Sequence, residues 1–130
     1  MDEDRLNRLP PDVKKQFLKL ALKLSEKKTK SKVHDDFLSF VKHVWPEFIE
    51  GKHHKEIADK FNDIAKGKIK RLIINMPPRH TKSEFASFLL PAWMVGRRPN
   101  LKIIQSTHTT ELAIRFGRKA KTLMDDPVYK

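Results

Sequence analysis

The chain has 130 residues, 38% of them hydrophobic and including eight Phe and two Trp, which is enough for one modest core and too much for a disordered tail. Lys and Arg number 28 against 16 Asp and Glu, and a formal charge of +12 favours polyanionic partners through counterion release. Without cysteine there is no disulfide framework or thiolate site, no metal-ligand spacing occurs, and the longest apolar run, FASFLLPAWMVG, is too short and Pro-broken to span a membrane.

The first residues, MDEDRLNRLPPD, are acidic and lack an apolar run, so they do not read as a secretory signal; a soluble protein of the cytoplasm is the expectation. From Pro11 to Leu24 the apolar residues Val13, Phe17, Leu20 and Leu24 recur at helical spacing among lysines, predicting an amphipathic helix that Pro11 can start. Ser25 to Lys32, SEKKTKSK, has no apolar residue and reads as a solvated basic linker. Residues 1–34 accordingly read as an N-terminal helix with its linker, and residues 35–130 as the main domain.

A second helix starts near Asp35, turns Phe37, Phe40, Val41 and Val44 inward, and stops before Pro46. A third runs from about His53 to Lys66, with Ile57, Phe61 and Ile64 on one side and Gly67 at its end. The pattern then changes. RLIIN, Arg71 to Asn75, is a short continuous apolar run of the kind a buried parallel strand shows, and LKIIQST, Leu101 to Thr107, is a second. Between them Ser83 to Val95 is long enough for a crossover helix, and Thr109 can cap a final helix whose Leu112, Phe116, Ala120 and Leu123 line one face. The expected architecture is α/β, with N-terminal helices followed by β-loop-α-β-α.

The stretch NMPPRHTKSEF, Asn75 to Phe85, lies where the first strand would hand over to the crossover helix. A strand, a tight loop and a helix opening on Lys-Ser form the usual holder for a nucleotide triphosphate. Amides at the helix start face phosphate oxygens, the lysine reaches the β and γ phosphates, and the hydroxyl coordinates Mg²⁺. Lys82 and Ser83 fit the last two roles. Against the strict G-x-x-x-x-G-K-[ST] pattern, however, Met76 and Thr81 stand where both glycines should be. Where such a loop needs positive φ a β-branched residue is costly, so Thr81 opposes the reading, and a Pro-Pro turn with Arg79 and Lys82 in solvent is the competing one.

The run IKRLIINMPPRHTKSEFASFLLPAWMVGRRP, followed by IIQSTHTTELAIRFGRKAKTLMDDPVY, resembles the N-terminal ATPase region of tailed-phage terminase large subunits, the motors that drive DNA into proheads. The likeness covers roughly residues 35 to 130, is most specific from Pro77 to Glu84, and implies the opening part of such a motor with an incomplete P-loop NTPase fold. It further implies ATP and Mg²⁺ as cofactors, with Lys82 on the β and γ phosphates, Ser83 on the metal, and the backbone of Arg79, His80 and Thr81 around the phosphate tail. Arg79 would steady charge on the transferred phosphoryl group, or else face solvent or DNA. His53 and His54 fall where the family contacts the adenine, or are surface histidines at a helix start. The implied partners are double-stranded DNA, a portal protein and a terminase small subunit, in the cytoplasm of the host and with no membrane.

A motor of this kind also needs paired acids ending a second strand. LMDDPVY, at Leu123 to Tyr129, offers Asp125 and Asp126, but it continues the preceding helical stripe and reads as a helix end. Two other classes stay open: a basic non-enzymatic nucleic-acid-binding module with Lys82 as one phosphate contact among many, and another P-loop NTPase such as a helicase.

Overall fold

Helices make up the regular structure of residues 10–129, the part of the chain that the computed structural model describes. In chain order they are α1 (Pro11–Asp35), α2 (Phe37–Val44), α3 (Lys52–Ala65), α4 (Lys82–Glu84), a π-helical turn (Phe85–Leu89), α5 (Leu90–Arg97) and α6 (Thr110–Asp125). Two units divide the chain, residues 1–32 and 33–130.

No strand forms among the described residues, so the expected α/β fold with its β-loop-α-β core is corrected to an all-helical one. The first β-branched run is nonetheless laid out as a strand would be. Leu72, Ile74 and Met76 rest against the core, while Arg71, Ile73 and Asn75 alternate outward and Ile73 is 86% exposed. The second run is more open still, with Ile104 97% exposed. Extended backbone becomes a sheet only when a neighbour takes its N–H and C=O groups, and two short runs without further strands are at best marginal in water. The alternation in the first run thus positions side chains on and off the core, but neither run is a strand.

Ser25 to Lys32 is a second correction, because this segment is not a linker but the C-terminal part of α1. Lack of apolar residues removes a reason to pack, not a reason to be helical. Lys and Glu are good helix formers, Glu26 and Lys30 stand four apart, and no Gly or Pro intervenes. The hydroxyls of Ser25 and Thr29 bond back to the carbonyls of Leu22 (2.8 Å) and Ser25 (2.9 Å), so they do not compete with the helix. Helix α1 buries none of its residues.

The 33–130 unit is organised around aromatic rings. Phe37, which is fully buried, meets Phe61 at 5.1 Å, Phe85 at 5.4 Å and Trp93 at 5.4 Å between ring centres, all edge to face. Each ring removes a large apolar area from water, and edge-to-face pairs add about 0.5–1.5 kcal/mol beyond that burial. Polar groups fix the register of α2 on α3. Asp36 caps α2 by accepting from the Ser39 amide (2.8 Å), and Asn62 of α3 donates to Asp36 (2.8 Å) while accepting from the Phe37 amide (2.9 Å).

Helix α3 ends in a Schellman turn, with Gly67 at φ 76 bonding the carbonyl of Ile64 and Lys68 bonding that of Asp63. This reverses the chain into the extended segment that leads to the loop. On the other side of the loop α4, the π turn and α5 run on as one helical rod. Pro91 has no N–H to give, and the π turn just before it lets the Leu90 amide reach back to the Phe85 carbonyl instead, so the rod passes the proline without breaking. The C-terminal turn is pinned by Tyr129, whose hydroxyl donates to the Ala92 carbonyl (2.8 Å) and whose ring packs edge to face on Phe40.

Truncating the hub and an exposed helix residue should separate cleanly. Phe37→Ala is expected to lose about 3–5 kcal/mol of unfolding free energy in urea titration, whereas Leu22→Ala on α1 should stay within about 0.5 kcal/mol of wild type. Equal losses from the two substitutions would contradict the placement of the core in residues 33–130.

Candidate functional site

The residues from Met76 to Ser83 form a bend between the extended segment and α4. Pro77 and Pro78 each fix φ near the value their rings impose, and the two residues that then reverse the chain, Arg79 (φ 65) and Thr81 (φ 57), are both left-handed. Neither is glycine. A non-glycine residue in this region costs on the order of 1–2 kcal/mol, more for a β-branched one, and strain of this kind persists only where surroundings enforce it. The feature that counts against a phosphate loop in the sequence, Thr81 at a position needing positive φ, is thus adopted.

Several contacts hold the bend. The His80 Nδ1–H donates to the Pro78 carbonyl (2.9 Å). The Thr81 hydroxyl donates to the His80 carbonyl (2.7 Å) and lies 2.7 Å from His54 Nε2. His54 sits in the first turn of α3, is 6% exposed, and packs against Phe48 and Phe85. The Gly51 amide, which can only donate, bonds His54 Nδ1 at 2.9 Å. His54 is therefore the Nε2–H tautomer and donates to the Thr81 hydroxyl oxygen. Every hydrogen in the series is assigned: Gly51 amide to His54, His54 to Thr81, Thr81 to the His80 carbonyl.

Thr81 is also the residue that precedes α4, where a threonine hydroxyl ordinarily accepts from an amide of the first turn. Here the hydroxyl is engaged elsewhere, and no side chain caps the amides that open α4. The first amides of a helix have no carbonyl partners within it, so these remain available to an anion. Lys82 is half-buried, and its ammonium reaches back across the bend to the Met76 carbonyl at 3.4 Å, a long bond that is easily exchanged. Arg79, His80 and Ser83 are exposed. The rod behind the bend is fixed by buried Phe85 and by Glu84, both of whose carboxylate oxygens accept from Lys119 of α6 at 2.8 and 2.9 Å.

The two histidines expected beside an adenine are thus part of the loop's own support. Both ring nitrogens of His54 are taken by protein groups. His53 stacks near His54, with ring centres 3.8 Å apart, and meets His80 edge to face at 5.8 Å; its Nε2 is shut off from solvent without a hydrogen-bond partner. No group of three or more His, Asp or Glu among the described residues is arranged to hold a metal ion. Asp125 ends α6 and Asp126 accepts from the Val128 amide (2.8 Å) in the turn that follows, which is a helix end rather than a strand terminus. A surface groove of about 950 Å³ runs between Phe88 and α6 past Ile114, Arg115 and Arg118, and does not include the loop.

Sequence reasoning selects the loop residues but misses the link from His54 to Thr81. The two are 27 residues apart, and a histidine in a first helical turn carries no local sign of what it will touch. No helix among the described residues is long and apolar enough to cross a membrane.

Burial holds the His54 pKa below its ordinary value, and charge on His53 would lower it further. A depressed histidine contributes stability in full above its unfolded value, about 6.5, and that contribution is lost as acidification charges the unfolded chain first. Urea midpoints should therefore fall from pH 7 to pH 5, and His54→Phe, which keeps the ring and removes the titration, should fall less over the same range; parallel profiles would show that His54 is not the group responsible. No protein family, curated protein or solved structure matches this chain.

Proposed function

We propose that the bend from Met76 to Ser83 binds the phosphates of ATP with Mg²⁺, and that the chain is part of a viral DNA-packaging ATPase of the terminase large-subunit type. The observation that carries the phosphate reading is the pair of left-handed residues, Arg79 and Thr81, placed directly before uncapped helix amides and a lysine whose ammonium lies over the bend. Uncapped amides beside one cation are the groups that a polyphosphate takes, and here they are presented without glycine. The resemblance of Pro77 to Glu84 to the deviant loop of terminases supports the narrower assignment.

In this reading Lys82 exchanges its weak bond to the Met76 carbonyl for charge-assisted bonds to the β and γ phosphates. Ser83, exposed in the first turn, offers its hydroxyl to the metal, and the exposed guanidinium of Arg79 is within the same bend to meet charge on the terminal phosphoryl group. The loop's support is helical: α3 supplies His54, and Phe85 anchors the rod into the aromatic core. No sheet is invoked. Double-stranded DNA, the partner that the resemblance implies, is a polyanion of the kind that a charge of +12 favours.

A second reading has one observation of its own. Helix α1 has no fully buried residue and carries lysines far in excess of Asp12, Glu26 and Asp35, as a non-enzymatic nucleic-acid-binding arm would.

Calorimetric titration with Mg-ATP, alongside DNA binding in a mobility assay, tells the two apart. Lys82→Ala is expected to weaken Mg-ATP by about tenfold or more, the loss of one charge-assisted bond, and to leave DNA binding nearly unchanged. A wild-type chain that binds DNA but takes up no Mg-ATP would favour the arm and defeat the phosphate reading.

A further inference from the structure

Thr81 presents a conflict that its own residue type cannot resolve. Its backbone is at φ 57 and ψ 5, a conformation that glycine enters freely and a β-branched side chain resists. The compensation has to come from contacts present in this conformation and lost outside it. Two side-chain contacts qualify, and both involve the Thr81 hydroxyl: donation to the His80 carbonyl and acceptance from His54.

We propose that His54 is the positioning residue of the loop, its Nε2–H holding Thr81 left-handed in place of the glycine that a phosphate loop ordinarily has there. The inference rests on the phosphate-binding reading above for its purpose, but not for its mechanics. Three observations supply the mechanics. His54 is itself held in place, being 6% exposed, packed against Phe48 and Phe85, and bonded at Nδ1 by the Gly51 amide. Its Nε2–H can then point in one direction only, and Thr81 Oγ1 stands there at 2.7 Å. The same hydroxyl fixes the His80 carbonyl on its own side. Rotating Thr81 into the right-handed region would break both bonds and leave the Nε2–H buried without an acceptor.

The arrangement makes residues 54 and 81 a coupled pair. A threonine at the second position demands the histidine at the first, and a glycine there dispenses with it. A side chain that only filled space at 54 would have no such dependence on 81.

The test is a double-mutant cycle with His54→Phe, which keeps ring volume against Phe48 and Phe85, and Thr81→Gly, read by urea unfolding and by inorganic triphosphate binding in calorimetry. His54→Phe alone should weaken triphosphate by on the order of tenfold, the cost of a left-handed threonine left unsupported. In the Thr81→Gly background, whatever its own affinity, adding His54→Phe should change binding less than about threefold. Thr81→Val, which keeps the branch and drops the hydroxyl, should behave like His54→Phe. Equal effects of His54→Phe in the wild-type and Thr81→Gly backgrounds, in unfolding or in binding, would overturn the proposal. If wild type binds no triphosphate, the phosphate reading fails by itself, and the unfolding cycle still decides the brace: coupling supports it and additivity refutes it. Nitrogen chemical shifts of His54 give an independent arm. A protonated Nε2 in wild type agrees with the brace, and an Nδ1–H tautomer there contradicts it.

Discussion

The edge-to-face contact between Phe37 and Phe85 is the constraint on which the rest of the 33–130 unit depends. Phe37 opens α2 and touches α3 through Phe61, so these two helices present a fixed apolar platform. Phe85 lies four residues beyond Thr81, and its amide bonds the Thr81 carbonyl at 2.9 Å. Burying that one ring therefore sets both the direction of the rod from 82 to 97 and the position of the bend that precedes it. Trp93 repeats the anchoring two turns later and donates its indole N–H to the Val33 carbonyl. A strained bend can persist on such a base because the energy that holds it comes from elsewhere.

Polar groups in this unit act at ends rather than in the middle. Asp36, Asn62, Gly67, His54 and Tyr129 each satisfy backbone groups where a helix begins, ends or meets a neighbour. The apolar interior itself contains one polar side chain among the buried described residues, His54, and its Nε2–H reaches outward to the loop. Packing and site geometry are thus joined at a single residue: the imidazole face belongs to the aromatic core, and its edge belongs to the bend.

The segment from 71 to 76 shows how a candidate phosphate loop can be presented without a sheet. Alternate residues Leu72, Ile74 and Met76 are held on the core, which keeps the chain extended up to the prolines. The opposite face, with Ile73, is open, as is Ile104 in the second β-branched run. Extended geometry here comes from side-chain packing on helices. Ladder hydrogen bonds contribute nothing among the described residues.

Much of the helical content is legible because apolar spacing is a local property. Phe37, Phe40 and Val41 are buried where a period of 3.6 places them, as are Ile57 and Phe61, and Thr109 caps α6 by accepting from the Leu112 amide. The basic stretch from Ser25 to Lys32 escapes a reading that equates polarity with irregularity, although propensity alone favours helix there. The two β-branched runs mislead for a different reason: a strand needs a partner, and partners are not written in the run itself. The candidate loop divides the same way. Its residue types, the Pro-Pro turn and the Lys-Ser opening of a helix are set by sequence, since each acts through its own backbone or charge. Whether Thr81 accepts a left-handed backbone depends on a histidine 27 residues upstream, a bond that exists only once α3 and the rod have packed on the same aromatic rings.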